Sequence, residues 1–380
     1  MDKKVNASLL QLCSLLTPYE EHEFSQKDTN WEQIIHLAKQ HRVSPLLSRA
    51  IHDQQLELPS KVKNKLESQS KSVNFKMLKL TAELLRLTRE FDQERIQFIS
   101  LKGPVQSLQI FGDISIKHSR DLDILIEESK VDQCLVVLKK MGYQTTSFYF
   151  TLNKRQKRYF LKSQNQLLFF HPERKVQLEV HWRLFANKAF LEFPFHELLS
   201  NAETVMLENY SFKGVGKLHL INYLLAHGAK HQWSMLYWVV EILHFLKNNS
   251  ISLEQLYSES KKQNVHRPFL QFLGLAQKLF SFKIPRNIES ELDKFQISKL
   301  VSNALEAIQT DIEKLREKSF ILYYKKGFYQ MSLKRELSYK LGSLNWISVN
   351  DFQTLNLPPE LFFLYYPLRP FLWCKRYLFS

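Results

Sequence analysis

The chain has 380 residues, of which 44% are hydrophobic and 24% charged, with a formal net charge of +15 at pH 7. This composition is ordinary for a soluble globular protein, and no apolar run approaches the roughly 20 residues of a membrane-spanning helix. The three cysteines, Cys13, Cys134 and Cys374, are too scattered for a disulfide framework, which favours a reducing, cytoplasmic compartment. The excess of basic residues favours a polyanionic partner: nucleic acid, nucleotide phosphates or an anionic membrane surface.

Residues 1–94 are predicted to form a helical region. Apolar residues recur at helical spacing in 9–16 and 31–41. The longer segment 60–94 has an apolar stripe and a polar face filled with lysines and arginines, which predicts an amphipathic helix with one break.

The sequence pattern of residues 95–190 predicts a β-α-β-α-β-β-β unit, which is a compact mixed sheet with helices on one side. The predicted strands are 96–101, 121–126, 145–150, 166–171 and 176–182, and the predicted helices are 105–112 and 131–143. The last two strands are joined by residues 172–175, which are typical of a hairpin turn.

From about residue 194 onward the pattern is helical again, with strong apolar periodicity in 218–231, 235–248 and 268–280. The predicted fold class is therefore α+β, a small mixed β-sheet core at 95–190 between helical regions at 1–94 and 191–380. The aromatic and basic tail at 361–379 is expected to pack against its own domain, and docking on a membrane surface is the alternative.

Acidic residues interrupt two of the predicted strands. Side chains alternate between the faces of a strand, so Asp121 and Asp123 share one face, and Glu179 lies on the polar face of another strand. Neighbouring carboxylates repel each other unless a cation compensates them, and hard oxygen ligands suit magnesium. Asp121, Asp123 and Glu179 are therefore predicted to form a metal site, although aspartates paired with Arg120 or Lys117 are an alternative.

A phosphate-binding element is predicted just before these acids. Lys102 and Gly103 end one strand and begin a helix, whose first backbone N–H groups can bind an anion. Gly103 would allow a phosphate to approach the backbone closely. Lys102, Lys117 and Arg120 could neutralise the charge of a triphosphate.

Together these motifs resemble the uncharacterised bacterial nucleotidyltransferase family of the DNA polymerase beta superfamily. The resemblance covers about residues 95–265, and its motifs are Lys102-Gly103, residues 120–126, Gly142-Tyr143, residues 179–182, residues 225–233 and residues 236–238. It implies a nucleotidyltransferase core and the transfer of a nucleoside monophosphate from a nucleoside triphosphate to an acceptor hydroxyl, with release of pyrophosphate. Asp121 and Asp123 would bind two magnesium ions, and Glu179 would bind the catalytic one and help to remove the hydroxyl proton.

The sequence departs from the superfamily at two points. Pro104 follows Gly103 where a serine is usual, and Glu179 stands where an aspartate is more common. An acid expected after Trp238 corresponds to Glu241. The missing serine hydroxyl removes one phosphate contact.

The histidines His227 and His231 lie four residues apart on one helix face. They are expected to form hydrogen bonds near the nucleotide, and zinc binding is the less favoured alternative because no acid follows His227. His181 shares the face of Glu179 and is equally consistent with a structural or a site role.

The partner predictions remain broad. The basic and aromatic segment 153–160 could bind a nucleic-acid backbone or a triphosphate, or serve only as a charged connection between strands. The acceptor could be a protein, a tRNA end, a sugar phosphate or another small hydroxyl compound. The alternative function is a catalytically degenerate module that binds RNA or another polyanion.

Overall fold

The computed structural model describes residues 5–19, 24, 29–310, 337–338, 340–341, 351 and 354–378. Its α-helices before the sheet are α1 (Ala7–Leu16), α2 (Trp31–Gln40), α3 (Ser44–Asp53) and α4 (Ser60–Gln93). Those within or beside the sheet are α5 (Pro104–Phe111), α6 (Val131–Lys140), α7 (Lys154–Ser163) and α8 (Phe195–Ser200). The later ones are α9 (Lys217–Lys230), α10 (Leu236–Asn249), α11 (Leu253–Lys262), α12 (His266–Phe280), α13 (Arg286–Leu292), α14 (Phe295–Ile308) and α15 (Tyr365–Leu378).

One mixed sheet of six strands lies between the helices, which confirms the predicted α+β class. The strands are β1 (Phe98–Ser100), β2 (Leu122–Ile126), β3 (Gln166–His171), β4 (Val176–His181), β5 (Glu203–Leu207) and β6 (Tyr210–Gly214). Their spatial order is β3-β4-β2-β1-β6-β5. The β2–β4 and β1–β6 pairs are parallel, and the other three pairs are antiparallel.

Two sequence predictions about the sheet are wrong. The segment 145–150 is not a strand: it contains a 3₁₀ helix at Phe148–Thr151, and only Gln144 forms a bridge, to Phe170. Residues 203–212, predicted to be helical, and residues 213–214, predicted to be part of a turn, instead form the β5–β6 hairpin at the sheet edge. An edge hairpin buries only a few side chains, here Val205 and Phe212, so its apolar pattern is weak.

Helix α4 runs unbroken for 34 residues, so the predicted break does not occur. Its two halves pack in different hydrophobic clusters. Val62 and Leu66 belong to the same cluster as α1–α3, whereas Met77, Leu84 and Phe91 pack with the sheet. The helix therefore bridges two cores, and tertiary packing over its whole length stabilises it.

The basic segment 153–160 belongs to helix α7 and not to an extended connection. Asn153 caps the helix by accepting a hydrogen bond from the backbone N–H of Gln156, and the Gln156 side chain accepts one from the N–H of Asn153. This reciprocal pair satisfies backbone donors that a helix start leaves unpaired.

The larger core joins the N-terminal helices to helices that follow the sheet. Buried side chains of α1–α3, such as Leu12 and Ile35, share one cluster with those of α9, α10, α12 and α14. The second core contains β2–β4, α6 and the second half of α4. The domain boundaries at 94/95 and 190/191 stay predictions.

The C-terminal helix α15 and the 3₁₀ helix before it (Pro359–Leu364) lie against the second core through Phe362, Tyr365 and Leu372. This packing agrees with the preferred interpretation of the tail. Among the described residues, every helix is too short or too polar to cross a bilayer.

Candidate metal centre

The centre of the sheet places two of the predicted acids side by side. In the parallel pairing of β2 with β4, Asp123 lies opposite Glu179. Asp121 directly precedes β2 and is partly exposed, whereas Asp123 is fully buried. Residues far apart in the chain thus bring their carboxylates together at neighbouring strands.

The Asp123 carboxylate has two different oxygen environments. Its Oδ2 accepts a hydrogen bond from the Lys102 ammonium, while its Oδ1 is buried and has no hydrogen-bond partner. Lys102 reaches this position because the backbone N–H of Leu101 donates to the carbonyl of Asp123 at 2.8 Å, which aligns the end of β1 with β2. A buried carboxylate oxygen without a donor is costly unless a cation occupies the space before it.

His181 completes this group, although the sequence did not assign it to the site. Its Nε2 lies 3.3 Å from Glu179 Oε2 and 3.9 Å from Asp123 Oδ2, and it makes no hydrogen bond. One ligand atom from each of Asp123, Glu179 and His181 lies within 4.8 Å of the others. Two carboxylates and an imidazole in this arrangement fit a divalent metal ion.

Asp121 is not a member of this three-residue group in the described part of the chain. It is nevertheless close enough to interact, because burial, followed by the charge of Asp123, raises the pKa of Asp121. Lys102 opposes that rise, and Glu179 adds to it. The role of Asp121 as a metal ligand stays a prediction.

The charges around the centre are strongly coupled. Burial alone would raise the pKa of Glu179, but the neighbouring His181 and Lys102 outweigh it and lower that pKa. Burial likewise opposes the charge of Lys102, yet Asp123 holds the Lys102 pKa well above its ordinary value. Glu179 and Lys102 therefore both carry their charge at neutral pH.

Gly103 shapes the backbone between the lysine and helix α5. Its φ of 85° and ψ of −145° belong to a region that is essentially restricted to glycine. A Cβ at this position would also lie 3.4 Å from Leu122 Cδ2. Pro104 then begins α5, where its missing N–H costs nothing.

The other two predicted cations have different environments. Lys117 is buried, and its ammonium donates to Glu241 of α10 in a close ion pair. Arg120 is exposed next to Asp121. The ion pair engages Lys117 within the protein, so direct contact with a triphosphate stays a prediction for both residues.

The two histidines of α9 form an aromatic group with α10. The rings of His227 and His231 are 4.7 Å apart, and His231 stacks on Trp238 at 5.1 Å with an interplanar angle of 10°. Burial first, and then Lys230, lower the pKa of His231 to about 3, so its ring is neutral at pH 7. Within the described residues neither histidine belongs to a three-ligand group, which gives the zinc alternative no support.

Tyr223, one helical turn before His227, is a further residue that sequence reasoning missed. It is buried beside Lys102, and burial raises the pKa of its hydroxyl to about 12. Asp123 and Glu179 also contribute to that rise. Only its spacing of four residues from His227 could have indicated this position.

The fold and the acid-bearing strands define an α+β protein with a nucleotidyltransferase-type core. Residues 27–281 match the family model described as uncharacterised nucleotidyltransferase, and the chain belongs to that family. The match begins at residue 27 and therefore includes helices α2–α4, which lie before the 95–265 range of the sequence resemblance. A search of curated proteins found no match.

Proposed function

We propose that the protein transfers a nucleoside monophosphate from a nucleoside triphosphate to an acceptor hydroxyl. The observation that carries this proposal is the alignment of Asp123 with Glu179 across β2 and β4, together with the buried Asp123 Oδ1, which has no hydrogen-bond partner. The family assignment supports the reaction type.

In the proposed reaction, the acceptor oxygen forms a bond to the α-phosphorus, and the bond from that phosphorus to the bridging oxygen breaks. Pyrophosphate leaves, and Glu179 takes the proton of the hydroxyl, since its lowered pKa keeps it ionised before the step. Asp121, Asp123 and Glu179 would hold divalent metal ions. The sequence resemblance implies two magnesium ions. The bound ion would neutralise phosphate charge and acidify the acceptor hydroxyl.

Cations and aromatic rings near the acids suit the nucleotide. Lys102 lies against Asp123, and Arg120 is exposed next to Asp121, so both can offset triphosphate charge. The neutral His231 ring, supported by Trp238, offers a flat surface for a base. The turn at Gly103 and the start of α5 are the proposed phosphate contact.

A direct assay tests this function. Purified protein is incubated with a divalent ion and each α-labelled nucleoside triphosphate, with fractions of cellular RNA, protein and small metabolites as acceptors. We expect label transfer with pyrophosphate release, reduced about 100-fold or more in Asp121→Asn.

The matched control is Glu173→Gln, which changes an exposed acid in the β3–β4 turn at the other end of β4. This variant should keep full activity. If Asp121→Asn is as active as the wild type, or no nucleotide is transferred to any fraction, the proposed reaction is wrong.

A second candidate is the degenerate module that binds RNA or another polyanion. It is favoured by three cations, Arg42, Lys76 and Arg120, that lie around His118 near Asp121. Burial, followed by the charges of these cations, lowers the pKa of His118 to about 4. This candidate predicts RNA binding that weakens steeply with salt and survives Asp121→Asn. Binding that is insensitive to salt would count against it.

Two further proposals concern the cellular compartment and the acceptor. We place the protein in the cytoplasm, which agrees with three cysteines that form no disulfide. The acceptor class follows from whichever fraction takes up label in the assay.

A further inference from the structure

We propose that His181 is a metal ligand, and that the Asp123–Glu179–His181 centre binds first-row transition-metal ions such as Mn²⁺ and Co²⁺ more tightly than Mg²⁺. This inference deepens the proposed function, because it names the class of ion at the same site. It can be tested without any nucleotide.

The distances around His181 Nε2 match those between ligands of one ion. Ligand atoms bonded to one ion at about 2.1 Å lie roughly 3 to 3.4 Å apart in octahedral and tetrahedral centres. Nε2 is 3.3 Å from Glu179 Oε2 and 3.9 Å from Asp123 Oδ2. Because Asp123 Oδ2 accepts from the Lys102 ammonium, binding would require that Lys102 moves away or that Asp123 turns Oδ1 toward the ion.

Two buried atoms in this centre have no hydrogen-bond partner. His181 is 4% exposed and Asp123 is fully buried, and both His181 Nε2 and Asp123 Oδ1 are unpartnered. Nε2 is close to Glu179 but is not aligned to donate a hydrogen bond to it. A polar atom this deeply buried normally has a partner, and a metal ion would serve both atoms at once.

The strand register explains why the histidine faces the carboxylates. Glu179 and His181 are two residues apart on β4, so their side chains leave the same face of the strand. Glu179 keeps a 22% exposed side chain, while the His181 side chain is only 5% exposed. The ion would therefore be held from inside by His181 and Asp123 and be reached from outside past Glu179.

The other ring nitrogen is also contacted. His181 Nδ1 lies 3.3 Å from the Asn165 side-chain amide. When Nε2 binds a metal, Nδ1 carries the proton, so the Asn165 amide would have to turn its oxygen toward Nδ1 and give up its bonds to Gln166 Oε1 and to the carbonyl of Arg183. The competing interpretation, in which Nε2–H donates to Glu179, keeps the amide nitrogen against Nδ1.

An imidazole ligand changes the order of metal affinity. Mg²⁺ favours oxygen ligands and retains its water, whereas nitrogen ligands favour the later first-row ions. With one nitrogen and two carboxylates, affinity should rise from Mg²⁺ to Mn²⁺ to Co²⁺. An all-carboxylate centre would discriminate much less between these ions.

The test uses the full chain, freed of metal by a chelator, with Mg²⁺, Mn²⁺ and Co²⁺ titrated separately by calorimetry. We expect Co²⁺ to bind at least about tenfold more tightly than Mg²⁺. In His181→Asn this preference should vanish, with Co²⁺ affinity falling about tenfold or more, to the level of Mg²⁺, and Mg²⁺ affinity changing little. Equal affinities of the wild type for Mg²⁺ and Co²⁺ would overturn the proposal.

The matched control is His219→Asn, because His219 also lies 3.0 Å from a glutamate, Glu197, but outside the centre. It should leave Co²⁺ binding unchanged. Unchanged Co²⁺ affinity in a folded His181→Asn would show that His181 only donates to Glu179.

A second measurement needs no substitution and covers the case in which His181→Asn does not fold. Electron spin-echo modulation of Mn²⁺ bound to the wild type should show a directly coordinated imidazole nitrogen, and its absence would overturn the proposal. Neither measurement requires catalysis. A protein that binds Co²⁺ through His181 but transfers no nucleotide would refute the proposed reaction and leave the ligand assignment standing.

Discussion

The Lys102 ammonium lies beside the Asp123 carboxylate, at a position that a metal ion could also take. Its ammonium contacts Asp123 Oδ2, and the aspartate holds the lysine pKa well above its ordinary value. The pair neutralises a fully buried carboxylate in the metal-free protein. We propose that a divalent ion and the Lys102 ammonium would compete for the same negative charge, so that Lys102 would contact a phosphate only when an ion takes its place.

Replacing Lys102 should lower the stability of the fold but strengthen metal binding. In Lys102→Met the buried Asp123 loses its compensating charge, which is expected to destabilise the metal-free protein by about 3 kcal/mol or more. A divalent ion should restore that stability and bind about tenfold more tightly than in the wild type, since its competitor is gone. Thermal unfolding with and without Mn²⁺, together with calorimetry, measures both effects.

The control for this experiment is Lys140→Met, which breaks an exposed ion pair with Glu94 at 3.6 Å and should change neither quantity appreciably. Weaker Mn²⁺ binding in Lys102→Met would mean that Lys102 assists the ion and does not compete with it.

The link between helices α2 and α10 depends on a neutral histidine. His41 follows the end of α2, is fully buried, and accepts a hydrogen bond at Nδ1 from the backbone N–H of Leu236, the first residue of α10. Burial lowers the pKa of His41 to about 4. A protonated ring could not accept this bond, so the neutral form joins an N-terminal helix to the helix that carries Trp238 and Glu241.

This arrangement predicts acid sensitivity. The unfolded chain takes up a proton at His41 near pH 6.5, while the folded protein does so only near pH 4. The contribution is fully present above about pH 6.5 and is lost as the pH falls toward 4, because the unfolded state binds more protons in that window. We expect the unfolding free energy to fall there by about 1 to 3 kcal/mol from this residue.

Denaturant unfolding from pH 7.5 to pH 4 measures the slope. In His41→Asn, whose amide oxygen can still accept from Leu236, the slope should be reduced. An unchanged slope in that variant would assign the acid sensitivity to other groups, such as His244, whose pKa burial also lowers to about 4.

At the scale of the whole molecule, the N-terminal helices α1–α3 and the later helices α9–α14 build one core. Leu9, Leu12 and Leu16 of α1 are buried in the same cluster as Phe269 and Leu273 of α12. Helix α4 extends from this cluster to the sheet. A sheet core between two separate helical regions would not need such contacts, so we propose that the N- and C-terminal helices form one cooperative unit.

Removal of the N-terminal helices tests this proposal. Deleting residues 1–56 exposes apolar side chains of α10 and α12, and each large buried side chain that loses its packing costs roughly 2–5 kcal/mol. We expect the truncated chain to be insoluble or to unfold with no cooperative transition. Calorimetry of the full chain should show α1–α3 and α9–α14 unfolding together. A soluble truncated chain with a normal transition would establish that residues 1–56 are a separate domain.

Local sequence patterns determined much of this protein. Alternation along β2 and β4 predicted that Asp123 and Glu179 are candidate site acids, and helical periodicity located α2, α4, α9, α10 and α12. The Lys102-Gly103-Pro104 motif predicted the strand-to-helix turn, which Gly103 makes with its positive φ. These features depend on neighbours within a few residues, so the sequence alone carries them.

Tertiary structure decided the rest. The parallel register that sets Asp123 opposite Glu179, the burial of His181 against both acids and the approach of Lys102 and Tyr223 all join residues distant in the chain. The same holds for the β5–β6 hairpin and for the core shared by α1–α3 and α9–α14. Strand order and long-range packing depend on the total burial of the folded chain, which no local periodicity encodes.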